Sequence, residues 1–193
     1  MNLLKKHYLI VIVAFSVGLA TLAPQIIAIS GVSNFQGIYK PFNIDEFYYM
    51  ARAKDVADGH YFLSNPYLYE YKNGLPMQFW LPDFILAEPL SLLDIDIYPG
   101  YMIYDFILPA ILTLLSYIIL FLLTKNIHLS LIGAIFLHLG LFLSDFNRAP
   151  SPQLIFIFWQ LTLIAWLVYL DKKSTRRAIL VGLCLGLLFH IVL

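Results

Sequence analysis

Two adjacent carboxylates, Asp45 and Glu46, are the side chains of this chain best suited to chemistry. A carboxylate can take the proton from a hydroxyl group while the hydroxyl oxygen attacks an electrophile, which is general-base catalysis. Asp45 is equally suited to begin a helix as its N-cap, a role that needs no ligand. The residue types therefore suit either a general base or a helix cap.

A second polar cluster, residues 144–153, contains Asp145 and Arg148. Asp145 is a candidate second acid. Arg148 is a candidate clamp for a phosphate group, because a guanidinium can bind two phosphate oxygens at once. An ordinary loop with an Asp–Arg surface pair explains the same residues. Both interpretations remain open from the sequence.

Three further side chains are candidates for a role outside simple packing. His60 directly follows a predicted helix and could form a hydrogen bond with a substrate. Asp105 lies near the outer end of an apolar run, where we expect its side chain to reach toward the membrane interface. Cys184, the single cysteine, lies in an apolar run and is expected to fill space. No set of His, Cys and acidic residues has the spacing of a zinc site.

The elements that position these residues are predicted to be membrane-spanning helices. The 193 residues are 61% hydrophobic and only 12% charged, whereas soluble domains carry about 25% charged residues. A helix needs roughly 20 apolar residues to cross a bilayer. We predict an all-α, polytopic bundle that forms a single transmembrane domain over residues 1–193. Its predicted spans are residues 9–29, 103–123, 129–143, 154–170 and 178–193. The last run stops within a span, so we expect the N-terminal part of a longer protein.

The distribution of Lys and Arg predicts the orientation. Basic residues are dense in the turn Lys172–Arg177 and occur before the first run as Lys5 and Lys6. Because basic residues favour the cytoplasmic side, the N-terminus is predicted to be cytoplasmic and residues 30–99 to form one large external loop. The formal net charge is zero, which gives no indication of a nucleic-acid partner.

The external loop is too long for a simple connection and is predicted to carry short interfacial helices. Apolar residues recur at helical spacing from Asp45 to Asp58, and Gly59 suits the left-handed residue after a helix end. After this single helix, a pair of helices is predicted, one beginning near Trp80 and the other near Ala87. The many tyrosines of the loop fit either the aromatic belt of a membrane surface or stacking on sugar rings.

The pattern Asp-Glu-x-x-Tyr-x-x-x-Ala at Asp45, Glu46, Tyr49 and Ala53, followed by Gly59, resembles the acidic motif of GT-C-type membrane glycosyltransferases. It is most similar to the protein O-mannosyltransferase and aminoarabinose-transferase branches. The resemblance extends to the topology, with a cytoplasmic N-terminus and a long first external loop. In motif detail it covers only residues 43–60.

The resemblance implies an enzyme that moves a sugar from a polyprenyl-phosphate-linked donor to an acceptor on the external face of the membrane. Asp45 would be the general base, and Glu46 would orient the acceptor, bind a metal or support Asp45. Tyr49, His60 and the pair formed by Asp145 and Arg148 would contact substrates. Some branches use a divalent cation such as Mg²⁺ or Mn²⁺ and others none; Asp45, Glu46 and Asp145 are the candidate ligands. Short cytoplasmic turns favour a prokaryotic plasma membrane.

Two other classes of function remain as alternatives. A transporter or flippase of lipid-linked substrates would place functional charges within its spans, which are nearly free of charge here. A non-catalytic membrane partner would use the large loop to bind another protein, but this gives no reason for paired acids at the mouth of the first span.

Overall fold

The fold consists of α-helices and one short π-helical segment. A computed structural model describes residues 3–36, 45–62, 68, 70, 74–75, 80–139 and 149–192, and no strand occurs within these ranges. The elements, in chain order, are α1 Leu3–Ser30, α2 Asp45–Ala57, α3 Trp80–Leu92, α4 Ile97–Thr124, α5 Ile127–Leu139, the π-helical segment Ala149–Leu154, α6 Ile155–Asp171 and α7 Thr175–Val192. The predicted all-α class is confirmed.

Three of the described helices are long and apolar enough to cross a bilayer, at His7–Ser30, Ile97–Thr124 and Ser151–Asp171. They identify the chain as a membrane protein and correspond to the first, second and fourth predicted spans. The predicted third span falls on α5, whose 13 described residues extend for only about 20 Å. The predicted fifth span falls on α7, which is not among the three. Among the described residues, three helices are therefore long and apolar enough to span a bilayer, where five spans were predicted.

Helices α1 and α4 pack along a face of small and polar residues. Thr21 Oγ1 donates a hydrogen bond to the backbone oxygen of Asp105 (2.8 Å). Gln25 Nε2 donates to Asp105 Oδ2 (2.5 Å). Asp105 is fully buried, so the expectation that its side chain reaches the interface is wrong. A polar partner on α1 holds this acid within the bundle.

Helix α6 packs against the other side of α4. Gln160 Nε2 donates a hydrogen bond to Ser116 Oγ (2.8 Å), and both side chains are buried. Because an apolar bilayer provides no hydrophobic force between helices, such interhelical hydrogen bonds and close packing are what hold spans together. Helix α4 is thus the centre of the bundle, with polar contacts to a helix on each side.

The two loop helices, α2 and α3, pack together at one end of the bundle. They cover the beginning of α4 and the π-helical segment that leads into α6, and Ile29 at the end of α1 packs against the same core. The buried core at this end comprises Met50, Ala53, Val56, Leu86, Ala87, Leu90, Ile97, Tyr101, Leu108, Leu112, Ala149, Leu154 and Ile157. The end of α1 and the starts of α4 and α6 therefore meet at one end of the bundle, so the chain returns to that end between α4 and α6.

The first helix predicted in the external loop is confirmed, whereas the predicted pair of helices after it is wrong. Helix α2 covers Asp45–Ala57, and Gly59 has a φ of +96°, which favours glycine. In place of a helix pair, one continuous helix, α3, runs through Pro89. Proline removes a backbone donor and its ring crowds the carbonyl four residues earlier, yet the helix continues past Pro89 to Leu92.

Candidate functional site

The two adjacent acids of α2 lie in different environments. Asp45 is exposed at the first position of the helix, whereas Glu46 is fully buried. Successive residues of an α-helix project about 100° apart. Arg52 and Val56, on the same side of α2 as Asp45, are buried, so Asp45 is exposed because it lies at the end of the helix. Asp45 can therefore meet a molecule from outside, and Glu46 belongs to the packed interior.

The inward face of α2 follows directly from residue spacing. Glu46 is followed at intervals of three or four by Met50, Ala53 and Val56, all of which are buried. Residues at such intervals lie on one side of a helix. The apolar members pack on α3 and α4, so this face fixes which side of α2 is presented outward.

A buried ion pair joins α2 to α3. Arg52 Nη2 and Nε lie 2.7 Å and 3.1 Å from the same oxygen of Asp83, Oδ2. The side chains are 6% and 1% exposed. Arg52 Nη1 also donates to the hydroxyl of Tyr48 (3.1 Å), and its guanidinium carbon lies 5.4 Å from the centre of that ring. The guanidinium is therefore held on several sides.

Burial dominates the electrostatics of Asp83. It raises the pKa of this carboxyl from 3.8 to about 6, although the charge and hydrogen bonds of Arg52 act in the opposite direction. The attraction of Arg52 thus only partly offsets the loss of water around Asp83. The Arg52–Asp83 pair therefore contributes more to the relative position of α2 and α3 than to the stability of the loop.

Two tyrosines connect the loop helices to α4. The hydroxyl of Tyr101 donates to the backbone oxygen of Tyr49 on α2 (3.2 Å). The hydroxyl of Tyr104 donates to the backbone oxygen of Leu86 on α3 (2.6 Å). Tyr101 is fully buried and lies close enough to Asp83 and Glu46 to interact with their charges. Both loop helices are therefore anchored to the same span.

The other predicted site residues do not all lie near Asp45. Tyr49 lies one turn further along α2, half-buried, with its ring edge against Tyr48. His60 follows the opposite end of α2, where its backbone N–H donates to Asp55. A helix of 13 residues is about 20 Å long, so a ligand touching both Asp45 and His60 would have to cover that length. Asp145 and Arg148 lie outside the described residues.

Within the described ranges, no three His, Cys, Asp or Glu side chains converge so as to hold a metal ion. The predicted Mg²⁺ or Mn²⁺ site on Asp45, Glu46 and Asp145 is not assembled there: Glu46 points into the protein, and Asp145 falls outside those ranges. The metal site remains a prediction.

The sequence analysis did not identify the pairs Arg52–Asp83 and Gln25–Asp105. The sequence does contain a signal for the Arg52–Asp83 pair. Arg52 is adjacent to the inward positions of α2, and Asp83 lies in the first turn of an apolar helix. Their pairing depends on how α2 and α3 pack, which spacing alone does not give. For the second, an acid and an amide in two neighbouring spans are a recognisable signal.

Comparison of the chain with protein-family models, with curated proteins and with solved structures gave no match. The function is therefore argued from the residues and their geometry.

Proposed function

We propose that the chain belongs to a membrane glycosyltransferase that uses a polyprenyl-phosphate-linked sugar donor. The observation that carries the proposal is the placement of Asp45. It is an exposed acid on the first turn of a helix that packs at one end of the bundle. An acid there is reachable both from the aqueous side and from a lipid headgroup at the membrane surface.

In the proposed reaction, Asp45 accepts the proton of an acceptor hydroxyl as its oxygen attacks the anomeric carbon of the donor sugar. A new bond forms between that carbon and the acceptor oxygen. The bond from the carbon to the phosphate oxygen breaks, and polyprenyl phosphate leaves with the electron pair. General-base assistance of this kind typically contributes about 10²- to 10⁴-fold to a rate.

The remaining roles follow from burial. Glu46 is fully buried and supports the placement of Asp45 from within, without touching the acceptor. Tyr49, on the next turn, is half-buried and is proposed to line the acceptor site. Arg148 is proposed to bind the donor phosphate, with Asp145 beside it, and His60 to contact the far end of a long substrate.

A pair of matched variants tests the assignment of the base. Asp45→Asn and Asp58→Asn each neutralise an exposed acid of the same loop segment. We expect Asp45→Asn in the full-length protein to lower the transfer of labelled sugar at least about 100-fold. Asp58→Asn keeps the wild-type rate, because the Lys54–Asp58 pair is 53% exposed on both sides and such pairs contribute little.

Transfer is measured in membranes containing equal amounts of each protein, from lipid-linked sugar into the acceptor fraction. Wild-type transfer by Asp45→Asn would remove Asp45 from the chemistry. Equal loss in both variants would indicate a general effect of charge in the loop.

A transporter of lipid-linked substrates is the second candidate, and the burial of Asp105 favours it. This acid lies within a helix long enough to span a membrane and is hydrogen-bonded by Gln25. Ionisable residues in such positions often mark transport pathways. The buried Asp105 is an exception to the near absence of charged residues in the spans.

A further inference from the structure

Two ion pairs involving α2 have the same N···O distance and opposite environments. Arg52–Asp83 and Lys54–Asp58 are both 2.7 Å long. The first is almost fully buried between α2 and α3, and the second is exposed and within one segment. Exposed pairs of this kind contribute at most about 1 kcal/mol, whereas removing one partner of a buried pair is strongly destabilising.

The buried pair acts on the same helix that carries Asp45. Arg52 is seven residues after Asp45, so the two lie on the same side of α2 and about 10 Å apart along its axis. Helix α2 is short, with 13 residues. A rotation or slide of such a helix at Arg52 is transmitted to its first turn, where Asp45 stands.

We propose that Arg52 and Asp83 are positioning residues, whose ion pair fixes the rotation and depth of α2 against α3 and thereby places Asp45 for proton transfer. The inference rests on the proposed function for its catalytic consequence. Its structural content, that the pair holds α2 in its packed position, is independent of any activity.

The energetics of the pair specify which variant is disruptive. Arg52→Gln leaves the Asp83 carboxylate buried without its cation. Arg52→Gln combined with Asp83→Asn removes both charges and leaves two amides that can form a hydrogen bond across the same interface. Replacing a buried ion pair by neutral groups is often nearly neutral for stability. The single variant should therefore displace α2, and the double variant should restore it.

The position of α2 is read out by the labelling of a buried residue. Ala53 is fully buried on the inward face, and Ala53→Cys adds one sulfur atom there. The experiment uses the full-length protein in membranes, with other cysteines, Cys184 among them, replaced by Ala. The rate of reaction with a water-soluble maleimide reports how often α2 leaves its packed position. Ala51→Cys, on the exposed side of the same helix, is the reference for intrinsic reactivity.

We expect Arg52→Gln to increase labelling of Ala53→Cys at least about tenfold and to lower kcat for sugar transfer by about 100-fold, the effect of misplacing a catalytic group by about 1 Å. The KM for the lipid-linked donor stays within about threefold, because the pair does not touch the donor. The double variant returns both quantities to within about threefold of wild type. Lys54→Gln, the exposed control, changes neither.

Each result decides a separate point. Wild-type labelling and wild-type kcat in Arg52→Gln would overturn the inference while leaving Asp45 as the base. Increased labelling with unchanged kcat would overturn the positioning role and keep the packing role. If wild-type protein transfers no sugar from any lipid-linked donor, the proposed function fails, and labelling alone decides whether the pair holds α2.

Discussion

Asp45 and Glu46 differ in their surroundings more than in their chemistry. One carboxylate is exposed at the helix start and the other is fully buried one position later. The fold therefore presents a single acid of this motif to an incoming hydroxyl. Asp45 is therefore the candidate base because it is exposed, and Glu46 is a packing residue because it is buried.

Asp83 provides a prediction for pH dependence. Burial raises its pKa from 3.8 to about 6, so the packed state binds a proton more tightly than a state in which α3 is hydrated. The stability that this proton provides is fully present below about pH 4 and is lost as the pH rises through about 6. We expect labelling of Ala53→Cys, relative to Ala51→Cys, to rise about tenfold between pH 5 and pH 7. Arg52 limits this rise, because its charge partly offsets the burial of the ionised Asp83, so the rise should be larger in Arg52→Gln.

The matched control for this prediction is Asp83→Asn, in which the relative labelling should be independent of pH. The charged or titratable groups near Asp83 are Arg52, Glu46 and Tyr101. Because these remain in the Asp83→Asn variant, a pH dependence that persists there would assign the titration to one of them and contradict the role of Asp83.

At the scale of helices, the close approach of α1 to α4 depends on Gly18. A Cβ at this position would lie 2.6 Å from the backbone oxygen of Phe106, which cannot move without displacing α4. We expect Gly18→Ala to destabilise the bundle by about 1 to 3 kcal/mol. Thermal unfolding in detergent micelles, followed by tryptophan fluorescence, measures the effect.

Gly182 in α7 is the control for this prediction, because a Cβ there would meet nothing within 4 Å. Gly182→Ala should leave the melting temperature unchanged or slightly raise it, since alanine favours the helix. Equal melting temperatures for Gly18→Ala and wild type would show that α1 is not packed on α4 as described.

The sequence predicted helices well where local signals were sufficient. Helix α2 could be placed from an acidic start, helical periodicity and a terminal Gly59, since each is a property of neighbouring residues. Helix α3 was predicted as a pair of helices beginning near Trp80 and Ala87, whereas the chain forms one helix that continues past Pro89. The Arg52–Asp83 and Gln25–Asp105 pairs could not be derived, because they depend on which helix faces which.

At the scale of the whole molecule, the loop helices lie at the end of the bundle where α1 ends and where α4 and α6 begin. The basic turn Lys172–Arg177 predicts that the opposite end is cytoplasmic. This orientation is what would place Asp45 on the external face. Helix directions and charge bias are consistent with each other, but only the charge bias indicates which side is external.

Cysteine labelling in intact cells tests this orientation. Asp58 and Lys173 are both exposed and lie on opposite sides of the predicted membrane. We expect Asp58→Cys to react with a membrane-impermeant maleimide in intact cells or spheroplasts, and Lys173→Cys to react only after permeabilisation. The reverse pattern would put the acids on the cytoplasmic face and exclude an external transferase.

The fate of the donor in sealed liposomes tests the central claim most directly. Purified full-length protein is incubated with a polyprenyl-phosphate-linked sugar and an acceptor, and both donor cleavage and donor movement between leaflets are measured. The proposed transferase releases polyprenyl phosphate in an amount equal to the sugar gained by the acceptor, and Asp45→Asn abolishes the release. Donor that crosses the bilayer uncleaved, at the same rate in Asp45→Asn, would contradict the account and identify a transporter.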